Sequence, residues 1–359
     1  MKNLGVCFTL QRIEPILVKN FLKKNKTYST EELLDEKNIL NSSFVNPLLI
    51  QELFKAKLYL HNNYSSYNEY RNKVIPRNHI FEGKHYKYHT FIKLIQSLKL
   101  CGINLQNIKS FYDICGAPGE WVRSLIKECP IERAYAISLY DKGIPYDREI
   151  YSYKNLRIIS PTDGNIYKIE SLLESLKFVE RVDLVCCDGG FAIRDLKINE
   201  SLQALVYIHL IFSEFVYGIC FTKEKTGIFI CKVFDLLDNI TVQIIMCATI
   251  FYKKIFIVKP KESRLVNSEK YLVCQELEFD NDKDKLRLKL INQLVECQKS
   301  NPGEIFDKSV LKDYLIKDFK ESLININNNL IENQTKELYR VVNLCIQKNE
   351  KKKNLNTRF

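Results

Sequence analysis

The chain has 359 residues, 46% of them apolar, with only 12 glycines and 9 prolines, which excludes a fibrous or disordered chain and allows one large or two ordinary domains. Its formal charge of +11 and pI of about 8.9 suit a polyanionic partner. Twelve cysteines without CxxC spacing, many of them inside apolar runs, exclude a disulfide scaffold and a structural zinc site; with no signal peptide or membrane span in the pattern, they suit reduced thiols in an intracellular compartment, nucleus or cytoplasm.

Residues 1–45 are mixed, with a polar stretch over 19–41 to which no function attaches. Residues 46–70 have helical periodicity (Leu49, Leu53, Leu58, Tyr59), with lysines such as Lys57 between. Residues 71–90 interleave basic and aromatic side chains as a nucleic-acid surface does, although a charge run is more commonly a solvated face. A helix is expected over 90–100, with Phe91, Leu94, Ile95 and Leu98 on one side. Strand patterns follow at 108–114, 134–139, 156–159, 182–187, 227–234, 254–258 and 271–277, and helical patterns at 118–129, 166–176, 199–219 and 238–251. This rhythm predicts a doubly wound, mostly parallel α/β sheet with helices on both faces. Three segments result: a helical, basic extension over 1–80, the α/β domain over 81–280, and a helical extension over 281–359 whose basic tail, 348–359, is expected to be mobile.

Four stretches carry candidate chemistry. The first is FYDICGAPGEWV, residues 111–122, in which a buried strand delivers Asp113 and breaks at Cys115, Gly116, Ala117, Pro118 and Gly119 before a helix restarts through Glu120 and Trp121. Small residues at such a turn let a ligand approach the backbone, and the free amides at a helix start favour carboxylate or phosphate. Taken alone, a Gly-Pro turn is more often only a turn. The second stretch, DLVCCDGGF, brings Asp188 to a sheet edge, where a turn-forming role is as good a reading. The third, GIFICKVFD, sets Lys232 inside an apolar strand, where lysine is rare without a partner, unless it snorkels to the sheet edge. The fourth, SRLVNSEKYLVC, opens the last strand with Glu269.

In this order the four stretches, with HTFIKLIQ ahead of the first strand, resemble the FtsJ-like (RrmJ-like) ribose 2′-O-methyltransferases. The likeness is closest to the cap-specific mRNA (nucleoside-2′-O-)methyltransferase group and covers about residues 46–277. It implies a Rossmann-like fold, S-adenosylmethionine as cofactor and a Lys-Asp-Lys-Glu tetrad at Lys93, Asp188, Lys232 and Glu269. It also implies that Asp113, the turn from Cys115 to Trp121, Asp163, Asn165, Ile166 and Asp188 hold the cofactor. The family's second glycine after Pro-Gly is replaced here by Glu120-Trp121, and its usual adenine-binding Asp by Asn165, whose side-chain carbonyl can still accept a hydrogen bond.

The implied chemistry is attack of a ribose 2′-hydroxyl on a sulfonium methyl, with Lys232 as base, Lys93 as a neighbouring cation, Asp188 orienting Lys232, and Glu269 fixing Lys93 or the ribose. No metal is needed for that step. By the same resemblance, Lys57, Arg71 and Asn267 contact a capped RNA, a solvated helix face being an equally good reading of Lys57 and Arg71. Arg264, next to Ser263, is a candidate phosphate contact, and other capping or transcription proteins are candidate partners. The expectation is therefore methylation of the first transcribed nucleotide of capped mRNA. An rRNA or cap-2 activity, or a non-catalytic RNA-binding or polymerase-accessory module on the same fold, are the alternatives.

Overall fold

β-Branched and aromatic runs pair side by side in the computed structural model, which describes residues 5–12, 39–77, 79–86, 89–139, 143–160, 163–190, 207–297 and 313–356. The main sheet has eight strands: β1 (Gly5–Thr9), β4 (Ser110–Ile114), β5 (Arg133–Ile137), β6 (Leu156–Ile158), β7 (Leu184–Cys187), β8 (Ile228–Val233), β9 (Tyr252–Pro260) and β10 (Lys270–Leu277). β2 (Ile80–Phe81) and β3 (Lys84–His85) make a separate small hairpin. The order in the main sheet is β1-β9-β10-β8-β7-β4-β5-β6. β6, β5, β4, β7 and β8 run parallel, as expected of fully buried strands such as SFYDI and LVCC. β10, β9 and β1 continue the sheet antiparallel. β1 falls in the segment to which the sequence attached no element.

The described helices are α1 (Pro47–Asn62), α2 (Tyr64–Val74), α3 (His89–Leu100), α4 (Glu120–Glu128), α5 (Ile169–Phe178), α6 (Ile208–Phe221), α7 (Asn239–Phe251), α8 (Asn281–Cys297) and α9 (Asp313–Asn356). The single helix expected over 46–70 is two, because the chain turns at Asn63, whose backbone leaves the helical region at φ −111°, ψ 20°. The helix expected over 166–176 starts later, at Ile169, since Asn165 accepts a hydrogen bond from the Tyr167 amide and holds a turn there. The first part of the helix expected over 199–219 lies outside the described residues, as does most of the polar stretch over 19–41. The tail expected to be mobile is helical as far as Asn356, and it docks: Asn349 bonds Ser66, and Lys352 pairs with Glu69 of α2 at 2.8 Å. Its last three residues, 357–359, lie outside the described residues.

Alternation along the strands sorts side chains to two cores. Phe111, Cys186, Ile228, Ile230, Tyr271 and Val273 pack with Phe91 and Leu94 of α3 and Trp121 and Val122 of α4. Tyr112, Ile114, Cys187, Phe229, Cys231 and Leu272 pack on the other face, against α6, α7 and the C-terminal helices. Because strand side chains repeat every second residue, Asp113, Asp188, Lys232 and Glu269 all belong to the face covered by α3 and α4. Cys187 pairs with Cys231 and Tyr271 with Lys232, so all four also lie at the edge where the parallel strands end.

α6 runs directly over β8 at Gly218. A Cβ there would lie 2.7–2.9 Å from three ring carbons of the fully buried Phe229. Gly218→Ala should therefore destabilise the chain by about 1–3 kcal/mol despite the better helix propensity of alanine. Denaturant unfolding measures this, and a variant as stable as the parent would contradict the close approach.

Candidate active site

The turn after β4 is shaped by what its glycines leave out. A Cβ on Gly116 would sit 1.6 Å from Asp113 Oδ2, so the carboxylate folds back under the turn and only glycine fits. Gly119, at φ 103°, closes the turn by donating its N–H to the Gly116 carbonyl at 2.7 Å, and α4 starts at the next residue. Asp113 is fully buried; its Oδ1 lies 3.5 Å from Cys186 Sγ, and its Oδ2 has no hydrogen-bond partner. Burial foremost, with Asp188 adding to it, pushes this carboxyl up to about 7. Glu120 is likewise pushed up to about 7, by burial and then Asp188. Thr90 of α3 donates its hydroxyl to Glu120 and accepts the Trp121 indole N–H at 3.0 Å on its carbonyl. That clasp fixes α3, and Lys93 with it, against the turn.

The structure brings the four expected catalytic residues together as two ion pairs. Lys93 Nζ lies 2.7 Å from Glu269 Oε1, and Lys232 Nζ lies 3.2 Å from Asp188 Oδ1. Lys232 also donates to the Asp188 carbonyl at 2.9 Å. All four side chains are largely buried, between 11% and 19% exposed, so none is merely a solvated surface charge. Tyr271, two residues beyond Glu269 on the same face, donates its hydroxyl to Asp188 Oδ1 at 3.2 Å. Burial disfavours the charged Lys232, but Asp188, Glu269 and Glu214 outweigh it and raise its pKa above the ordinary lysine value. Glu269 is desolvated too, yet Lys93 and Lys232 hold its carboxyl down to about 2.

The loop before β10 is gathered by Lys259. Its buried ammonium donates to the carbonyls of Asn267 at 2.5 Å and Glu269 at 2.7 Å, and to Ser263 Oγ at 3.2 Å. Burial first, then Lys270 and Lys93, push Lys259 well below the ordinary lysine value. The loop carries the expected substrate residues Arg264 and Asn267; Asn267 is exposed. Arg264 Nη2 reaches Asn72 Oδ1 at 3.4 Å beside a cleft of about 450 Å³ lined by Arg71, Asn72, Pro76, Arg77 and His79. The Nε atoms of Arg71 and Arg264 are buried without a hydrogen-bond partner. His89, 3.4 Å from Arg77 through Nδ1, is held at about 4 by burial and then by Arg77 and Lys93.

Lys57 stands elsewhere. Its ammonium is 3.4 Å from Asp235 Oδ2, while Lys270 Nζ is 3.0 Å from Oδ1 of the same carboxylate. Asp235 is buried, which opposes its charge, but Lys270 and Lys57 hold it at about 2. Asp163 and Asn165 form consecutive Asx turns, accepting from the amides of Asn165 and Tyr167 at 3.0 Å each, with Lys168 on Asp163 at 2.7 Å; Ile166 is buried beneath them.

Sequence reasoning missed Thr90, Glu214, Lys259 and Tyr271. Glu214 is the lone carboxylate of the apolar helix IHLIFSEFVYGICF, the same oddity that singled out Lys232. Tyr271 could have been found by counting two residues from Glu269 along the strand.

The family profile of FtsJ-like methyltransferases matches residues 86–277. A cap-specific mRNA (nucleoside-2′-O-)-methyltransferase 1 from Trypanosoma brucei brucei is 32% identical over 174 residues, 46% of this chain and 46% of that protein. A cap-specific mRNA (nucleoside-2′-O-)-methyltransferase from Autographa californica nuclear polyhedrosis virus is 28% identical over 212 residues, 54% of this chain and 79% of the viral protein. A Caenorhabditis briggsae protein named as an inactive cap-specific methyltransferase 1B is 27% identical over 243 residues, 63% of this chain and 28% of its own length. The match spans about half the length of the first curated relatives, 46% and 47%.

Asp235 offers a direct test of the ion pairs. Its folded pKa, about 2, lies below the ordinary 3.8, so its contribution is complete above that value and is lost as pH falls toward 2. Asp235→Asn strands two lysines and should cost about 3–5 kcal/mol at pH 7 in denaturant unfolding, with the difference from the parent shrinking in acid. A difference independent of pH would contradict this assignment.

Proposed function

The chain belongs to the FtsJ-like methyltransferase family, and from that premise we propose that it is an S-adenosylmethionine-dependent ribose 2′-O-methyltransferase acting on the first transcribed nucleotide of m7G-capped mRNA. The observation that carries this reading is the convergence of the Lys93–Glu269 and Lys232–Asp188 pairs at the carboxyl edge of the sheet, beside the turn after β4. Ligands of open α/β sheets bind at that edge.

The residues present fit the cofactor. Asp113 offers a buried carboxylate oxygen without a protein partner, under a turn in which glycines leave room for close approach. The turn from Cys115 to Trp121, with Asp163, Asn165, Ile166 and Asp188, would hold it. When bound, the cofactor supplies an electrophilic methyl group on a positively charged sulfur.

Lys232 is the candidate base for the 2′-hydroxyl proton. In the free chain its carboxylate neighbours keep it protonated. It can accept a proton only once Asp188 and Glu269 are shared with a further positive charge, because each carboxylate drawn away lowers its affinity for the proton. Lys93 contributes a fixed positive charge near the reacting oxygen, and Glu269 keeps that ammonium in place. Holding the reactants in line contributes up to roughly 7–11 kcal/mol toward the barrier in well-oriented cases. The cleft edged by Arg71, Arg77 and Arg264 supports binding of the RNA phosphates, since arginine pairs with phosphate in two-pronged fashion. Lys57, paired with Asp235, would act on RNA only indirectly or by leaving that pair. The reading implies an intracellular site of action, nucleus or cytoplasm, and other capping or transcription proteins as partners.

Labelled S-adenosylmethionine offered with m7GpppN-capped RNA, uncapped RNA and capped RNA already 2′-O-methylated at the first nucleotide should label only the first. Equal labelling of uncapped RNA would point to an rRNA-type substrate, labelling of the premethylated RNA to cap-2, and binding without labelling to a non-catalytic module. Lys232→Ala should lower the rate by at least about 100-fold while cofactor binding by calorimetry persists. A fully active variant would remove Lys232 as base.

A further inference from the structure

Glu214 is a carboxylate 1% exposed in the middle of an apolar helix, and none of the tetrad's roles accounts for it. Its Oε1 accepts the Gly189 N–H at 3.1 Å, and its Oε2 accepts the Cys231 thiol at 3.1 Å. Gly189 follows Asp188, and Cys231 precedes Lys232. The one side chain therefore ties together the backbone neighbours of the Asp188–Lys232 pair, from the opposite face of the sheet. The fit is close: a Cβ on Gly189 would lie 2.3 Å from Oε1, and a Cβ on Gly190 would lie 3.0 Å from Lys232 Nζ. A buried carboxylate costs stability unless its contacts are worth more, and a hydrophobic residue would fill this position at no such cost.

We propose that Glu214 is a positioning residue for methyl transfer: it anchors the 188–190 turn beneath Lys232 and its charge governs when Lys232 releases its proton. The proposal rests on the reading of Lys232 as base. The ionisable groups that face Glu214 are Asp188 on the turn, Cys231 and Lys232 on β8, Cys187 on β7, and Cys115 and Tyr167 on the loops after β4 and β6. Burial foremost raises the carboxyl to about 8, against the lowering effect of Cys231 and Lys232. It is thus neutral at lower pH and charged above about 8, where it adds to the carboxylates that hold the proton on Lys232.

Glu214→Gln keeps an oxygen for Gly189 and removes the charge. The test is the pH profile of kcat with capped RNA, compared with the parent. The two profiles should coincide below the ionisation of Glu214 and separate above it, the limb set by Lys232 moving at least about half a pH unit toward acid in the variant. Glu214→Ala, which also releases the turn, should lower kcat at least about tenfold with KM for RNA changed less than about twofold. Should either variant fail to fold, Gly189→Ala disturbs the same contact from the other side, with the same loss of kcat expected. A Lys232-dependent limb present in the parent and unmoved in Glu214→Gln overturns the proposal alone, as does full kcat in the alanine variants. A parent profile without such a limb overturns the assignment of Lys232 as base and the proposal with it.

Discussion

A lysine ammonium taken out of water loses its hydration, and a carboxylate at contact distance favours the charged form there. Lys93 and Lys232 are both mostly buried, and each stands against one carboxylate, Glu269 at 2.7 Å and Asp188 at 3.2 Å. The rest of the molecule arranges for those two meetings. The parallel order sets β7 beside β8, which brings Asp188 to Lys232. The antiparallel return of β10 on β8 brings Glu269 alongside from the other direction. α3, clasped to the turn through Thr90, supplies Lys93.

The surroundings then separate the charges by task. Asp113, Glu120 and Glu214, with little cationic company, are pushed up to about 7, 7 and 8 by burial. Glu269 and Asp235, each between two lysines, are held near 2. Lys259 goes the other way, pushed down by burial and by neighbouring lysines while its hydrogens are taken by carbonyls. Fixed charges in such a site act on a reacting group without having to reorganise, which is how electrostatic catalysis works in a dry pocket.

Much of this was legible in the chain. The strands with apolar, β-branched runs and the Gly-Pro turn announced the sheet and the glycine-shaped turn at its edge, and an isolated lysine in GIFICKVFD announced Lys232. What stayed hidden depends on long-range pairing. β1 is a five-residue strand, and it forms because β9 offers an edge, Val6 opposite Lys259. β10 runs against both β8 and β9, because the chain returns through residues 261–269 without a helical crossover and inserts between them, a placement that local pattern does not encode. The tail over 348–359 reads as mobile from its basic, Asn-rich composition, but Asn349 bonds Ser66 and Lys352 pairs with Glu69, contacts some 283 residues apart that local composition does not encode. Lys57 is basic on an exposed-looking helix, yet its partner, Asp235, lies 178 residues away.

The most direct measurement is a crystal structure of the chain with S-adenosylhomocysteine and a capped oligonucleotide. The account predicts the first transcribed nucleotide's 2′-oxygen within hydrogen-bond distance of Lys232 Nζ, about 3 Å, with Lys93 and Glu269 still paired beside it and the cofactor on the turn after β4. A ribose seated elsewhere, with Lys232 still closed on Asp188, would contradict it.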